Sequence, residues 1–363
     1  MTKEFFLVNI SSIAKRFAIG VIKIAATIKD VAKNTGLSIA TISKYINGGN
    51  VLDANKLLIE EAIKTLDFKV NEIARGLKTN RTMTIGVLIP DFKNIFFTTI
   101  VSNIENVLLQ NGYSTIICDY KLNDELEKEK FNFLVNKMVD GIITIPQGDN
   151  TWNIQNQLDK NVPVVLIDRA LDGVSCDTVL VDNLNASYNA VEHLIVKGHK
   201  RIGIVCGPDH IFTAKERLKG YVRVHEDYSI QVENSLVKKG DYEIESGYKL
   251  MVELLELTTP PSAVFITNYE MTLGAVMALN ERDVKIPEEL SIIGFDNLDI
   301  ARIVKPSLSI IVQPMEQIGE AAANILLKRL KGDRSNYPSM LRFKTELQIN
   351  NSVKELINET FRR

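Results

Sequence analysis

The stretch Thr27 to Asn47, TIKDVAKNTGLSIATISKYIN, decides how the beginning of the chain is read. Val31 and Ala32 share one helical face, Gly36 follows, and Ile42 and Ile46 restart an apolar face after Ser38. Apolar residues at three- and four-residue spacing predict helix. Glycine allows the positive-φ turn that ends a first helix, and serine is a favoured N-cap for a second. Two short helices joined in this way make a helix-turn-helix, whose second helix docks in the DNA major groove. The spacing alone fits a buried helical hairpin equally well. A third amphipathic stretch, with Leu58, Ala62, Ile63 and Leu66 on one face, closes a three-helix core and favours the DNA-binding reading.

Toward the C-terminus, Lys78 to Thr84 (KTNRTMT) is polar and aperiodic and reads as a linker, and no strand-like run lies between Ile28 and Thr84. From Ile85 onward the pattern changes. Short β-branched runs at Ile85 to Ile89, Thr115 to Cys118, Gly141 to Ile145, Val162 to Ile167, Arg201 to Cys206, Ala263 to Thr267 and Leu290 to Phe295 alternate with amphipathic stretches. Ile95 to Gln110, Asn185 to Val196, Glu243 to Leu257 and Met271 to Glu281 are among those helices. Such alternation predicts doubly wound parallel sheets, and so many strands require two of them, with a ligand cleft at the carboxyl ends of the strands. The fold class is therefore an all-α helix-turn-helix head on an α/β two-lobed body. No internal repeat is visible.

Charge supports the division. The chain has 363 residues and a net charge of −2, yet residues 1–81 carry 13 Lys and Arg against 7 Asp and Glu. The remainder carries 30 against 38, so a basic head joins an acidic body. Cys118, Cys176 and Cys206 are an odd set without metal spacing, which indicates reduced thiols, no zinc site and a cytoplasmic setting. His193, His199, His210 and His225 suggest neither metal nor triad and read as surface or loop residues. Phe17 to Ile28 is apolar but interrupted by Lys23, too short to span a membrane, and Glu4, Lys15 and Arg16 spoil a signal peptide.

The motifs together resemble the lactose-repressor and galactose-repressor family of bacterial transcription regulators. The residues concerned are Ile28-Lys29-Asp30-Val31-Ala32, Gly36-Leu37-Ser38 with Ala40-Thr41-Ile42-Ser43, Asn47-Gly48, and Asn71 to Leu77 (NEIARGL). Further along are Asn94-Ile95-Phe96-Phe97, Ile167-Asp168-Arg169, Gly198-His199, Arg217 to Tyr221 (RLKGY) and Gly294-Phe295-Asp296. The resemblance implies a DNA-binding domain over 27–70, a hinge helix and linker over 71–84, a two-lobed effector-binding and dimerisation domain over 85–350, and a tail over 351–363. Residues 1–26 match none of it. They are expected to be an extension of uncertain status, and a start codon placed too early is the favoured account.

By the same resemblance, DNA contacts fall to Ser38, Ile39, Ala40, Thr41, Ser43, Lys44 and Asn47, with Ala74 and Leu77 from a hinge helix that orders on DNA and puts a leucine into the minor groove. Ile39 and Ala40 suit a thymine methyl, and Lys44 suits guanine O6 and N7 or a phosphate. Val70 stands where the family commonly has proline, and Tyr45 where it has an aliphatic residue. The effector set is Phe96, Phe97, Asp168, Thr213, Arg217, Tyr242, Asn268, Asp296 and Gln313. Carboxylates, a guanidinium and amides suit the neighbouring hydroxyls of a sugar, while the aromatic residues leave a purine open. Arg217 is expected to pair with Asp168 or Asp296. No cofactor is expected, and the partners are a palindromic DNA operator, a small-molecule effector and a second copy of the chain. The short tail argues for a dimer rather than a tetramer. A transporter's solute-binding protein shares the two-lobed body but not the head. An enzyme is disfavoured by the lack of GxGxxG, P-loop or nucleophile motifs.

Overall fold

The computed structural model describes residues 26–46, 48–69, 81–147, 150–296 and 298–356, which fall into two compact units divided between Asn80 and Arg81. The first unit holds helices α1 (Ile28–Thr35), α2 (Ile39–Ile46) and α3 (Asp53–Leu66). Gly36 takes φ 71° and donates its N–H to the Ala32 carbonyl at 2.9 Å, so it closes α1 as expected. Ser38 accepts the Thr41 N–H at 3.1 Å and opens α2. Val31, Ile42, Ile59 and Ala62 form the core. The expected face of α3 is corrected by one residue, because Leu58 is 47% exposed and Ile59 is buried. The stripe Ile59, Ala62, Ile63, Leu66 keeps the full helical spacing, whereas Leu58 falls outside it.

The second unit has two six-stranded sheets. In the first, β2 (Ser114–Asp119), β1 (Thr84–Ile89), β3 (Gly141–Thr144), β4 (Val164–Ile167), β5 (Asp177–Val181) and β11 (Met340–Phe343) are parallel throughout. In the second, β7 (Val237–Lys239), β6 (Ile202–Cys206), β8 (Ala263–Ile266), β9 (Ser291–Phe295) and β10 (Ser309–Val312) are parallel, and β12 (Glu346–Gln348) joins β10 antiparallel at the edge. The inner strands are wholly buried, as strands covered by helices on both faces must be. The two strand orders correspond, so the topology repeats where the sequence shows no repeat.

Helices α4 (Ile95–Gln110), α5 (Asp124–Asn136) and α6 (Thr151–Asp159) follow β1, β2 and β3. In the second lobe, α7 (Asn183–Val196) precedes β6, and α8 (Phe212–Asp227), α9 (Ile244–Leu255), α10 (Tyr269–Glu281) and α11 (Leu298–Ile303) follow β6, β7, β8 and β9. The chain changes lobe after β5, after β10 and after β11. The last helix, α12 (Met315–Leu330), returns to pack Ile318, Ala322 and Leu326 against Ile100 and Ile104 of α4. At its C-terminus, the Leu330 carbonyl accepts from Arg81 at 2.8 Å. Asp140 holds the Thr82 and Met83 N–H groups at 2.7 and 3.0 Å.

Residues 351–356 are packed rather than free. The buried Ser352 hydroxyl donates to Ile292 and accepts from the Ser309 N–H, and the Leu356 N–H bonds Lys197. The surface reading of the histidines is corrected at two of them. His199 is 0% and His225 1% exposed, one held between Ser262 and the Lys354 carbonyl, the other on the Tyr221 carbonyl. Burial lowers both of their pKa values, and for His199 the partners lie 63 and 155 positions away, where local sequence cannot disclose them.

Candidate functional site

On the head, Ser38, Ile39, Ala40 and Lys44 are exposed, while Thr41 and Ser43 are half-buried. Ile42 turns inward, so the polar and small residues of α2 form its outer face. A shallow groove beside it is lined by Ala40, Thr41, Lys44, Asn50 and Asn55. The stem of Lys44 lies on Gly49, where a Cβ would come within 2.7 Å of the lysine Cγ. Tyr45 is resolved by the structure: its hydroxyl donates to the Glu60 carboxylate at 2.7 Å and ties α2 to α3. Asn47, Ala74 and Leu77, like residues 1–25, lie outside the described residues.

The second site is the cleft between the lobes. Asp168 follows β4 and Asp296 follows β9, the corresponding strands of the two sheets. Both take left-handed backbone, φ 68° and 61°, and each donates its N–H to the neighbouring strand, Asp168 to Val179 and Asp296 to Ile311. That conformation is rarely adopted by residues other than glycine and asparagine or aspartate. Each lobe thus presents one carboxylate at the same topological point.

Around them, Gln313 on the second crossover donates to both Asp296 oxygens at 2.8 and 3.0 Å, leaving its own Oε1 buried without a hydrogen bond. Arg217 of α8 donates from Nε to Asn183 at 2.7 Å and from Nη1 to the Thr267 carbonyl, and its guanidinium stacks 3.8 Å from the Phe295 centroid. The expected pairing of Arg217 with Asp168 or Asp296 is therefore corrected. Its hydrogen bonds go to the first crossover and the end of β8, because stacking on Phe295 fixes the plane in which the flat guanidinium can donate. Asp168 instead has Arg169, whose Nε stands 3.4 Å away without hydrogen-bond geometry while its Nη1 donates to Pro146.

Asn268 caps α10 through the Met271 N–H and donates to the Tyr242 carbonyl. Tyr242, at φ 74°, lies over Gly207, where a Cβ would come within 2.1 Å of the ring. Its hydroxyl is buried beside Thr213 without a hydrogen bond of adequate geometry. Phe96 and Phe97, edge-to-face at 5.4 Å, belong to the first lobe's core in the opening turn of α4.

Sequence reasoning quoted Asn94 and Arg169 in motifs without giving them a site role, and passed over Asn183 and Glu270. Asn94 caps α4 and donates across the cleft to Glu270 at 2.7 Å, and Asn268 donates to the other Glu270 oxygen at 2.9 Å. The lobes are closed on one another at this bond. Burial, with Asp296, Glu243 and Asp91 nearby, pushes Glu270 up to about 7. Burial also lifts Asp296 to about 6, opposed by Arg217 and Gln313 and reinforced by Asp168. The signal that could have found Glu270 is its place in the first turn after a strand end. Among the described residues no group of acids, histidines and cysteines could hold a metal, and no helix is long and apolar enough to cross a membrane.

A binding cleft between duplicated lobes, on a chain that opens with a helix-turn-helix, defines a DNA-binding regulator that answers to a small molecule. The lacI family of bacterial regulatory proteins matches residues 27–71, and a periplasmic binding protein-like domain matches residues 191–353. The HTH-type transcriptional repressor PurR of Actinobacillus pleuropneumoniae is 34% identical over 333 residues, 91% of this chain and 99% of that protein. The lac repressor dimer bound to operator and the anti-inducer ONPF superposes with a TM-score of 0.82 at 24% identity, over 91% of this chain and 99% of that one. The complex of the regulator CelR with cellobiose gives 0.69 at 27%, over 90% and 99%. This chain belongs to the lacI family of bacterial transcription regulators, and it is a DNA-binding regulator rather than an enzyme or a transporter's solute receptor.

Proposed function

We propose that the protein is a cytoplasmic repressor in which residues 27–70 bind an operator, 71–84 form the hinge and linker, and 85–350 bind a carbohydrate effector and dimerise. The outer face of α2 reads the major groove. Ile39 and Ala40 make apolar contact with bases, Lys44 reaches guanine or phosphate, and Ser38, Thr41, Ser43 and Asn47 bond the backbone. Ala74 and Leu77 act in the minor groove, Leu77 as the wedge. In the cleft, Asp168, Arg217, Asn268, Asp296 and Gln313 bond the ligand hydroxyls, with Thr213 beside them and Tyr242, Phe96 and Phe97 as the apolar wall. The observation that carries this reading is the matched pair Asp168 and Asp296, one from each lobe. A ligand held by both couples its occupancy to lobe closure, and a coupling of about 1–3 kcal/mol between cleft and hinge is enough to shift operator affinity severalfold or more.

Leu77→Ala is expected to weaken specific operator binding by about 10- to 100-fold, since the wedge that kinks the duplex is lost. Salt-sensitive nonspecific binding through Lys44 and its neighbours should persist. Equal operator affinity in Leu77→Ala and the parent protein, by fluorescence anisotropy with and without effector, would show a passive linker. One head reads only a few base pairs, so footprinting should protect two symmetric half-sites and light scattering should give a dimer. A tetramer, or an asymmetric single half-site, contradicts the arrangement.

A further inference from the structure

We propose that Arg81 is a positioning residue for DNA binding: it joins the linker to the far ends of α4 and α12, the two helices that begin at the cleft, so that a change at the cleft end of either helix reaches the hinge through its guanidinium. The proposal rests on the cleft and the linker having the roles given above. Its support is where the two helices begin and end. α4 starts after Asn94, whose side chain accepts the Phe96 N–H and donates across the cleft to Glu270. α12 starts two residues after Gln313, whose amide holds Asp296 and whose carbonyl accepts the Met315 N–H at 2.9 Å. Both run for 16 residues, about 24 Å of helix. They lie so close that a Cβ at Gly319 of α12 would come within 2.7 Å of the Ile100 carbonyl oxygen of α4. A layer packed this closely transmits strain along its length instead of absorbing it.

Arg81 stands at the opposite end of both helices. Its Nη2 donates at 2.8 Å to the Leu330 carbonyl, one of the last carbonyls of α12, which have no donor within the helix. A cation is also favoured at the negative end of a helix dipole. The chain leaves α4 through Tyr113, whose N–H bonds the Leu108 carbonyl at 3.0 Å, and the Arg81 guanidinium hydrogen-bonds the Tyr113 hydroxyl. One planar fork therefore holds the ends of α4 and α12 together, a geometry that a lysine ammonium does not reproduce. The next two residues are tied elsewhere. The Thr82 and Met83 N–H groups donate to Asp140, just before β3, so the sheet fixes them and neither helix does.

The test is a double-mutant cycle on the full chain, read as affinity for a DNA duplex that the parent protein selects from a random pool. Gln313→Ala perturbs the cleft end and Arg81→Ala the linker end. Gln313→Ala should change duplex affinity by about fivefold or more, the lower reach of couplings between distinct sites. In an Arg81→Ala background the same change should shift affinity by less than about twofold, the error within which uncoupled distant sites add. Gln313→Glu, which sets a second carboxylate against Asp296, takes its place if Gln313→Ala melts too low to assay. Asp140→Asn is the control: it loosens Thr82 and Met83 and touches neither helix end, so the Gln313 effect should survive it. Equal Gln313 effects with and without Arg81, or no Gln313 effect in the parent, overturn the proposal and leave the proposed function standing. A Gln313 effect lost as completely in Asp140→Asn as in Arg81→Ala also overturns it, because any slackened tether would then suffice. A random pool that yields no duplex overturns the operator-binding role given to residues 27–70, and the proposal with it.

Discussion

Arg217→Ala is expected to give a protein that still binds operator and ignores its effector. The guanidinium is 5% exposed and fills the space over Phe295, so the change removes ligand bonds and also leaves the Asn183 amide oxygen and the Thr267 carbonyl without their donor. Hydrogen bonds to a charged group are worth about 1.5–3 kcal/mol each, so effector affinity should drop by about 100-fold. The cavity and the orphaned acceptors should cost about 2–4 kcal/mol of stability in addition. Arg217→Lys separates the two effects, because it keeps the charge and much of the volume but loses the planar fork. It should melt closer to the parent and still respond poorly. Calorimetry that finds normal ligand binding in Arg217→Lys and Arg217→Ala would remove Arg217 from the site.

Arg329→Ala should strongly destabilise the first lobe. Arg329 of α12 donates to both Asp177 oxygens at 2.8 Å with both side chains almost wholly buried, and Ser339 adds its N–H and hydroxyl to one of them. Removing one partner of a buried pair costs about 3–5 kcal/mol, because the other charge is left uncompensated. For a body of this size that corresponds to a fall in melting temperature of about 10 °C. Burial alone would raise the pKa of Asp177, but the Arg329 and Ser339 hydrogen bonds overcome it and hold it below the ordinary 3.8. Its stabilisation is therefore complete at neutral pH and is lost as the pH falls from 3.8 toward the lowered value. Calorimetric scans at neutral and acid pH check both statements. The expected outcome is a large difference between Arg329→Ala and the parent at neutral pH that narrows in acid. A loss under about 1 kcal/mol at neutral pH would show that the pair is solvated.

What the sequence by itself determined is local. Gly36 and Ser38 set the turn and cap of the head, and three- and four-residue spacing placed α4 over Ile95–Gln110 without error. The run of apolar strands announced parallel sheets, since a strand covered on both faces has no polar side to show. Asp168 and Asp296 were legible as residues at strand ends. Their correspondence was not, because the two sheets share a topology and not a sequence. Strands β5, β7, β10, β11 and β12 were not among the runs named, and β11 and β12 take their places from crossovers between the lobes rather than from any spacing within the segment. Glu270 needed Asn94, 176 positions away, and Asp177 needed Arg329, 152 positions away. Arg217 was expected to bond the aspartates, and the structure bonds it to Asn183 and Thr267 instead, leaving only its charge to act on Asp296. Which acceptor a guanidinium finds depends on the plane in which packing holds it, and here Phe295 beneath it and Asn183 at the crossover set that plane, which only the tertiary structure decided.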